Sequence, residues 1–280
     1  MKLLRIGTAG HEVPCVLDSA GAARDVSSLI ADFTPDTIGT ARDILAAADL
    51  GALPEVSMTD ARIGPPLSEP NNIYCIGLNY SDHAEEAGMA IPEEPILFNK
   101  ARNAYCGPND PTLYSPKMTK LDWEVELAFV IGKTALNVPL ETALDHVAGY
   151  TLANDISERA WQTERAGTWS KGKSFPNFCP TGPFVVTPEE AGDVNNLEMW
   201  LDVNGTRMQS GTTAKMIFGV AEIISALSEF MRLEPGDLVL TGTPPGVGMG
   251  QTPPRWLVPG DEVTLGIEGL GKQTQVVTPL

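Results

Sequence analysis

Apolar and polar positions fall in short blocks along this chain, and most of the blocks read as strands. The clearest runs from Leu121 to Gly132, where Leu-Asp-Trp-Glu-Val-Glu-Leu alternates before turning solidly apolar. That is the pattern of a strand entering a buried sheet. A second apolar run, from Gly149 to Asn154, ends at Asp155. Residues 72 to 78 read as a buried strand, and residues 95 to 100 as a strand ending at a polar mouth. Residues 1 to 17 predict two short strands around Gly10-His11, and Asn204-Gly205 predicts a tight hairpin turn. Helical spacing appears over residues 35 to 49, with Thr34 as N-cap, Pro35 at the first helical position and Ile38, Ala41, Ile44 and Leu45 as the stripe. It recurs over 139 to 149, with Leu140, Leu144 and Val147 on one side, and over 213 to 231, from Met216 to Met231. A shorter helix, capped by Ser81 or Asp82, follows the strand at 72 to 78. Pro235-Gly236-Asp237 and Pro259-Gly260-Asp261 repeat one pattern 24 residues apart. Each predicts a type II turn feeding a strand, as in a quasi-symmetric roll or barrel. The stiff connector Ile63-Gly64-Pro65-Pro66-Leu67 divides a small N-terminal unit, residues 1–66, from residues 67–280.

Composition narrows the classes. The 280 residues are 42% apolar and 20% charged, as in a soluble globular protein, and 27 Gly with 23 Pro imply many turns. A net charge of −17 argues against nucleic acid and anionic membrane surfaces as partners. It also means that an anionic substrate needs local cations or a metal. No apolar run reaches the roughly 18 residues of a membrane span, and Met1 to Gly7 lacks the apolar core of a signal peptide. Cys15, Cys75, Cys106 and Cys179 lie far apart, without metal-type spacing, and are expected as free thiols in a reducing cytoplasm. His11 and His146 read as surface or core-edge residues.

The chemistry concentrates in a few places. Residues two apart on a strand share a side, so Glu124 and Glu126 project together, and Asp155 ends the next apolar run. Three carboxylates without nearby His or Cys make an all-oxygen site for Mg²⁺ or Mn²⁺ rather than zinc. The other reading is a solvated edge strand with ordinary surface acids. On a helix, His83 and Glu86 share a face, either as a general-base pair or as a surface ion pair. Lys100 and Arg102 are cations able to meet a substrate carboxylate, or else surface charges. Lys171 and Lys173 read as salt-bridge partners or as stabilisers of developing negative charge. Glycines such as Gly242 can expose N–H groups to a carboxylate, or simply make a turn.

Several separated motifs bear on these choices. They are Gly77-Leu78-Asn79-Tyr80-x-x-His83-x-x-Glu86, Glu124-x-Glu126, Gly149-Tyr150-x-x-Ala153-Asn154-Asp155-Ile156-Ser157-x-Arg159, Lys171-Gly172-Lys173-Ser174-Phe175, and Thr241-Gly242-Thr243-Pro244-x-Gly246-Val247-Gly248. In this order they resemble the fumarylacetoacetate hydrolase family over about residues 70 to 280. The resemblance implies an α+β fold, a mixed β-roll or barrel with a small N-terminal α/β domain. It implies metal ligation by Glu124, Glu126 and Asp155, and catalysis by His83, Glu86 and Lys173, with the His–Glu pair on a mobile lid. Substrate contacts are expected at Thr243, Gly242, Arg102, Gln162 and Tyr80. The chain departs from the family pattern at Pro176, where many members have Asp, which puts any hydrogen bond of that Asp in doubt. A homodimer or dimer of dimers is the expected assembly.

The implied activity is metal-dependent hydrolysis of a C–C bond in a 2,4-diketo acid, giving pyruvate and a second acid. Trp161-Gln162-x-Glu164-Arg165, Met216-Ile217-Phe218-Gly219-Val220 and Gly242-Thr243-Pro244-Pro245-Gly246 look most like bacterial members acting on 2,4-diketo-3-deoxy-L-rhamnonate or -fuconate. The same residues would serve a keto–enol isomerase or an oxaloacetate-type decarboxylase. A metal-dependent binding protein is the non-enzymatic alternative.

Overall fold

The computed structural model describes residues 1–86 and 88–280. Its strands form a large mixed sheet of eleven strands, a second sheet of five and two small two-stranded sheets. The large sheet is open: its strand order starts at Glu55–Val56 and ends at Ile96–Lys100, so the expected barrel does not close. Its centre is the pair Val125–Ile131 and Val147–Asn154, antiparallel and without an exposed residue on the first strand. Leu238–Leu240 pairs with the first of these, then runs parallel to Ile73–Gly77, which makes the sheet mixed. The N-terminal strands are not a separate sheet. Lys2–Ile6 extends the same sheet through Leu3 opposite Val185.

The turn signals hold at both Pro-Gly pairs. Gly236 and Gly260 take positive φ of 83° and 95°, and the Asp237 and Asp261 amides close the turns onto Glu234 and Val258. The strands that follow belong to different sheets, Leu238–Leu240 to the large one and Glu262–Ile267 to the five-stranded one. Asn204-Gly205, both at positive φ, joins Glu198–Val203 to Thr206–Thr212 in the predicted hairpin.

The helices are shorter than the periodicity suggests. The first is Ile38–Ala46, because Thr37 Oγ1 bonds Asp32 O and the Thr34 amide and holds a turn ahead of the helix. Residues Leu140–His146 form a 3₁₀ helix, and Val147 already belongs to the central strand. Leu140 and Leu144, expected to be buried, are 48% and 45% exposed. The helix expected over 213–231 is Val220–Phe230, preceded by a break that Asn79 holds from across the molecule. Asn79 O accepts from the Ile217 amide, its Oδ1 accepts from the Phe218 amide, and its Nδ2 donates to Phe218 O. Gly219 starts the helix, with its amide donating to Glu222.

Candidate active site

The central strands bring the acids together. Pairing of Val125 with Asn154 sets Glu124 and Glu126 beside Asp155, and the Asp155 amide donates to Glu124 O at 2.9 Å. One oxygen from each of Glu124, Glu126 and Asp155 lies within 4.8 Å of the others, and all three residues are buried. The surface-acid reading therefore does not apply.

Cations reach this cluster from three directions. Lys173, from the short helix Trp169–Lys173, donates to Glu124 Oε2 and Asp155 Oδ2, each at 2.6 Å. Arg159 donates to Glu124 Oε1 at 2.5 Å and to Asp122 Oδ2 at 2.8 Å. Lys100 is not at a polar mouth. Its side chain is fully buried, pairs with Asp155 Oδ1 and donates to Ile156 O. Burial alone would raise the Glu124 pKa, but the charges of Arg159 and Lys173 outweigh it and hold the carboxyl well below the ordinary range. Glu126 goes the other way. Burial, with Asp155 and Glu124 close by, pushes it well above the usual carboxylate range. Burial opposes the charge of Lys173, yet Asp155 and Glu124 hold its pKa above the ordinary lysine value.

This arrangement fits a hard divalent cation. With Glu126 ionised, buried Asp122, Glu124, Glu126 and Asp155 exceed buried Lys100, Arg159 and Lys173 by one negative charge, which a bound cation would offset. Glu126 Oε2 accepts from the Gly242 amide at 2.7 Å, while no protein hydrogen bond among the described residues reaches Oε1. An oxygen left free beside two further carboxylates suits Mg²⁺ or Mn²⁺ coordination, and no His or Cys among the described residues groups with the three acids.

The acids open on a cavity of about 230 Å³. Glu124, Glu126, Lys173, Gln162, Gly242, Thr243 and His83 line it, and Asp155 lies just behind the wall. His83 Nδ1 meets Glu86 Oε2 at 3.0 Å on the helix Ser81–Glu86. Glu86 also accepts from the Gly246 amide at 3.2 Å, which docks this helix onto the loop after Thr243. The Thr243 hydroxyl donates to Val125 O, and its Oγ1 accepts from Gln209 Nε2. Two expected substrate contacts lie elsewhere. Tyr80 is fully buried, with its hydroxyl on Met199 Sδ, and Arg102 is 57% exposed beside Glu69.

Asp122 and Arg159 are site residues that the residue-by-residue reading missed. Asp122 accepts from the amides of Gly248 and Met249 and from Arg159, so it ties the loop under Glu86, through Arg159, to Glu124. Arg159 also donates to Gln162 Oε1, which turns the Gln162 Nε2 group away from it. The signal for Asp122 was its place two residues before Glu124 in the same alternating run. Pro176 adjoins Phe175, which packs edge-on against Trp161.

The family profile described as fumarylacetoacetate (FAA) hydrolase, C-terminal, matches residues 72–278. The chain belongs to this family. A Burkholderia orbicola (strain MC0-3) relative, whose name goes no further than hydrolase, is 50% identical over 279 residues, 98% of each chain. Among solved structures, the fumarylacetoacetate hydrolase of psychrophilic Exiguobacterium antarcticum is 36% identical, with a TM-score of 0.90 and full coverage of both chains. A 2-hydroxyhepta-2,4-diene-1,7-dioate isomerase from Mycobacterium marinum is 32% identical, with a TM-score of 0.78 over 100% of this chain and 98% of that one. Maleylpyruvate hydrolase of Sphingobium sp. SYK-6, solved with manganese(II) and pyruvate, is 26% identical with a TM-score of 0.83, covering 100% and 99%. The family is thus enzymatic and holds both hydrolases and isomerases of keto acids, and the acidic triad here matches its use of divalent metals.

Proposed function

We propose that this protein hydrolyses a C–C bond in a 2,4-diketo acid, releasing pyruvate and a carboxylic acid. The observation that carries this reading is the buried triad Glu124, Glu126 and Asp155, bridged by Lys173, in a cavity that His83 also lines. A divalent cation, Mg²⁺ or Mn²⁺, held by the triad would bind the 2-keto acid end and draw electron density from it. His83, its Nδ1 fixed by Glu86, takes a proton from water as the water oxygen bonds to C4. The C3–C4 bond then breaks, and its electron pair remains on C3 as the pyruvate enolate. Lys173 stabilises that negative charge, and the proton that His83 took from water passes to C3 to give pyruvate. Water adds across the bond, with no oxidant or reductant required.

Within this class, the motif runs around Gln162 and Gly242 resemble those of enzymes acting on 2,4-diketo-3-deoxy-L-rhamnonate or -fuconate, a candidate that the apolar part of the cavity lining disfavours. A second reading, keto–enol isomerisation or decarboxylation, draws on the isomerase among the structural neighbours. It uses the same metal and Lys173 but needs no water attack. Loss of oxaloacetate that survives His83→Ala, with no pyruvate from any diketo acid, would select it. We place the enzyme in the cytoplasm, where its four free buried thiols stay reduced, and as a homodimer or dimer of dimers.

A further inference from the structure

The cavity has two unlike ends. Glu124, Glu126, Lys173 and Arg159 form one, with Asp155 behind them. The other is walled by Ile76, Leu78, Met89, Phe98, Trp169 and Met249, and is apolar. The boundary between them is close. The Phe98 ring lies 5.1 Å from Lys173 Nζ and packs edge-on against Trp169, with ring centroids 5.3 Å apart. Trp169 reaches this position because Gly77 has no Cβ: one built there would sit 2.4 Å from the indole.

Charge is as one-sided as polarity. Each cation lining the cavity already has acidic partners among the described residues. Arg159 is held by Asp122 and Glu124, and Lys173 by Glu124 and Asp155, while the His83 ring is tied to Glu86. A metal on the triad would take up the carboxylate at the 2-keto acid end, leaving no partner for a second. A distal carboxylate would meet an apolar wall, in a chain of net charge −17.

We infer that the site takes 2-keto acids with a single carboxylate and an apolar acyl arm, and discriminates against dioic acids and polyhydroxy arms. This rests on the C–C hydrolase reading for its reaction but not for its binding preference. Gln162 Nε2 has no hydrogen-bond partner among the described residues and suits a neutral carbonyl oxygen on the same substrate. The volume of about 230 Å³ limits the arm to a short chain or a single ring.

The test compares 4-methylpentanoylpyruvate with succinylpyruvate, in which a carboxylate replaces the branched methyl end, on the full-length protein with Mg²⁺. 2,4-Diketo-3-deoxy-L-rhamnonate serves as the polyhydroxy arm. The expected kcat/KM for the methylpentanoyl substrate exceeds that of each of the others by more than about tenfold. A smaller ratio overturns the inference while leaving C–C hydrolysis intact. If no substrate releases pyruvate, the hydrolase reading fails, and the ratio of calorimetric Kd values decides the inference by the same threshold. Trp169→Ala is expected to raise KM for the methylpentanoyl substrate at least about fivefold and to leave that for succinylpyruvate nearly unchanged. Equal effects on both would remove Trp169 from the arm site.

Discussion

Lys173 and Lys100 are both buried lysines paired with Asp155, yet their settings assign them different work. Lys173 lines the cavity and touches two of the three acids, where negative charge would develop. Lys173→Met should lower kcat by about 10²–10³ with a much smaller change in KM, measured as pyruvate release. Lys100 lies outside the cavity lining and bonds Asp155 and Ile156 O from the end of its strand. Lys100→Met strands a buried carboxylate oxygen and a carbonyl, and should cost about 3–5 kcal/mol of stability by denaturant unfolding. A loss below about 1 kcal/mol would show that the pair carries no structural weight. The triad was legible in the sequence because a strand's period of two fixes Glu124 against Glu126, and the next apolar run supplies Asp155. Lys100 was not. Strand periodicity gives a residue's face but not whether the strand's end meets solvent or the underside of another site. Tyr80 and Arg102 lie outside the cavity lining, because a motif match does not set where a side chain points.

Elements are held by contacts distant in sequence, and these decide what the motifs can do. The helix bearing His83 and Glu86 rests on the loop after Thr243, and Asp122 anchors that loop through the Gly248 and Met249 amides. Asp122→Asn keeps the size but weakens both the loop anchor and the hold on Arg159. It should lower kcat about tenfold and speed hydrogen exchange at Gly248 and Met249. Unchanged exchange with full activity would detach Asp122 from the dyad. The longer helices lie where the spacing put them, but their ends do not, and the short helices Arg159–Thr163, Trp169–Lys173 and Pro188–Ala191 left no periodic signal. The break before Val220 is set by Asn79, about 140 residues away in sequence, and no local cap signal reports it. Likewise, Val147 follows helical spacing but is drawn into the central sheet opposite Ile131, where a β-branched side chain packs well.

Across the whole molecule, the N-terminal segment joins the catalytic part through one sheet and through a charged cluster. Arg62 bonds both Glu12 and Asp110, and Arg5 bonds Asp32 and lies 3.3 Å from Glu12. Burial alone would raise the Glu12 pKa, but hydrogen bonds from Arg62 and its own backbone, with the charge of Arg5, depress it below the ordinary 4.5. A depressed carboxyl stabilises the fold above its unfolded pKa and loses that contribution as pH falls through the folded value. Tm should therefore drop as pH goes below about 4.5, and Glu12→Gln should flatten that drop. An identical profile in the variant would exclude Glu12 as a source. The central claim is metal-dependent C–C hydrolysis through His83, and its most direct measurement is pyruvate release from an acylpyruvate, with Mg²⁺ and with EDTA, for wild type and His83→Ala. The account predicts release that needs the metal and falls by about 10²–10⁴ in the variant. Release that persists in EDTA, or that His83→Ala leaves unchanged, would contradict it.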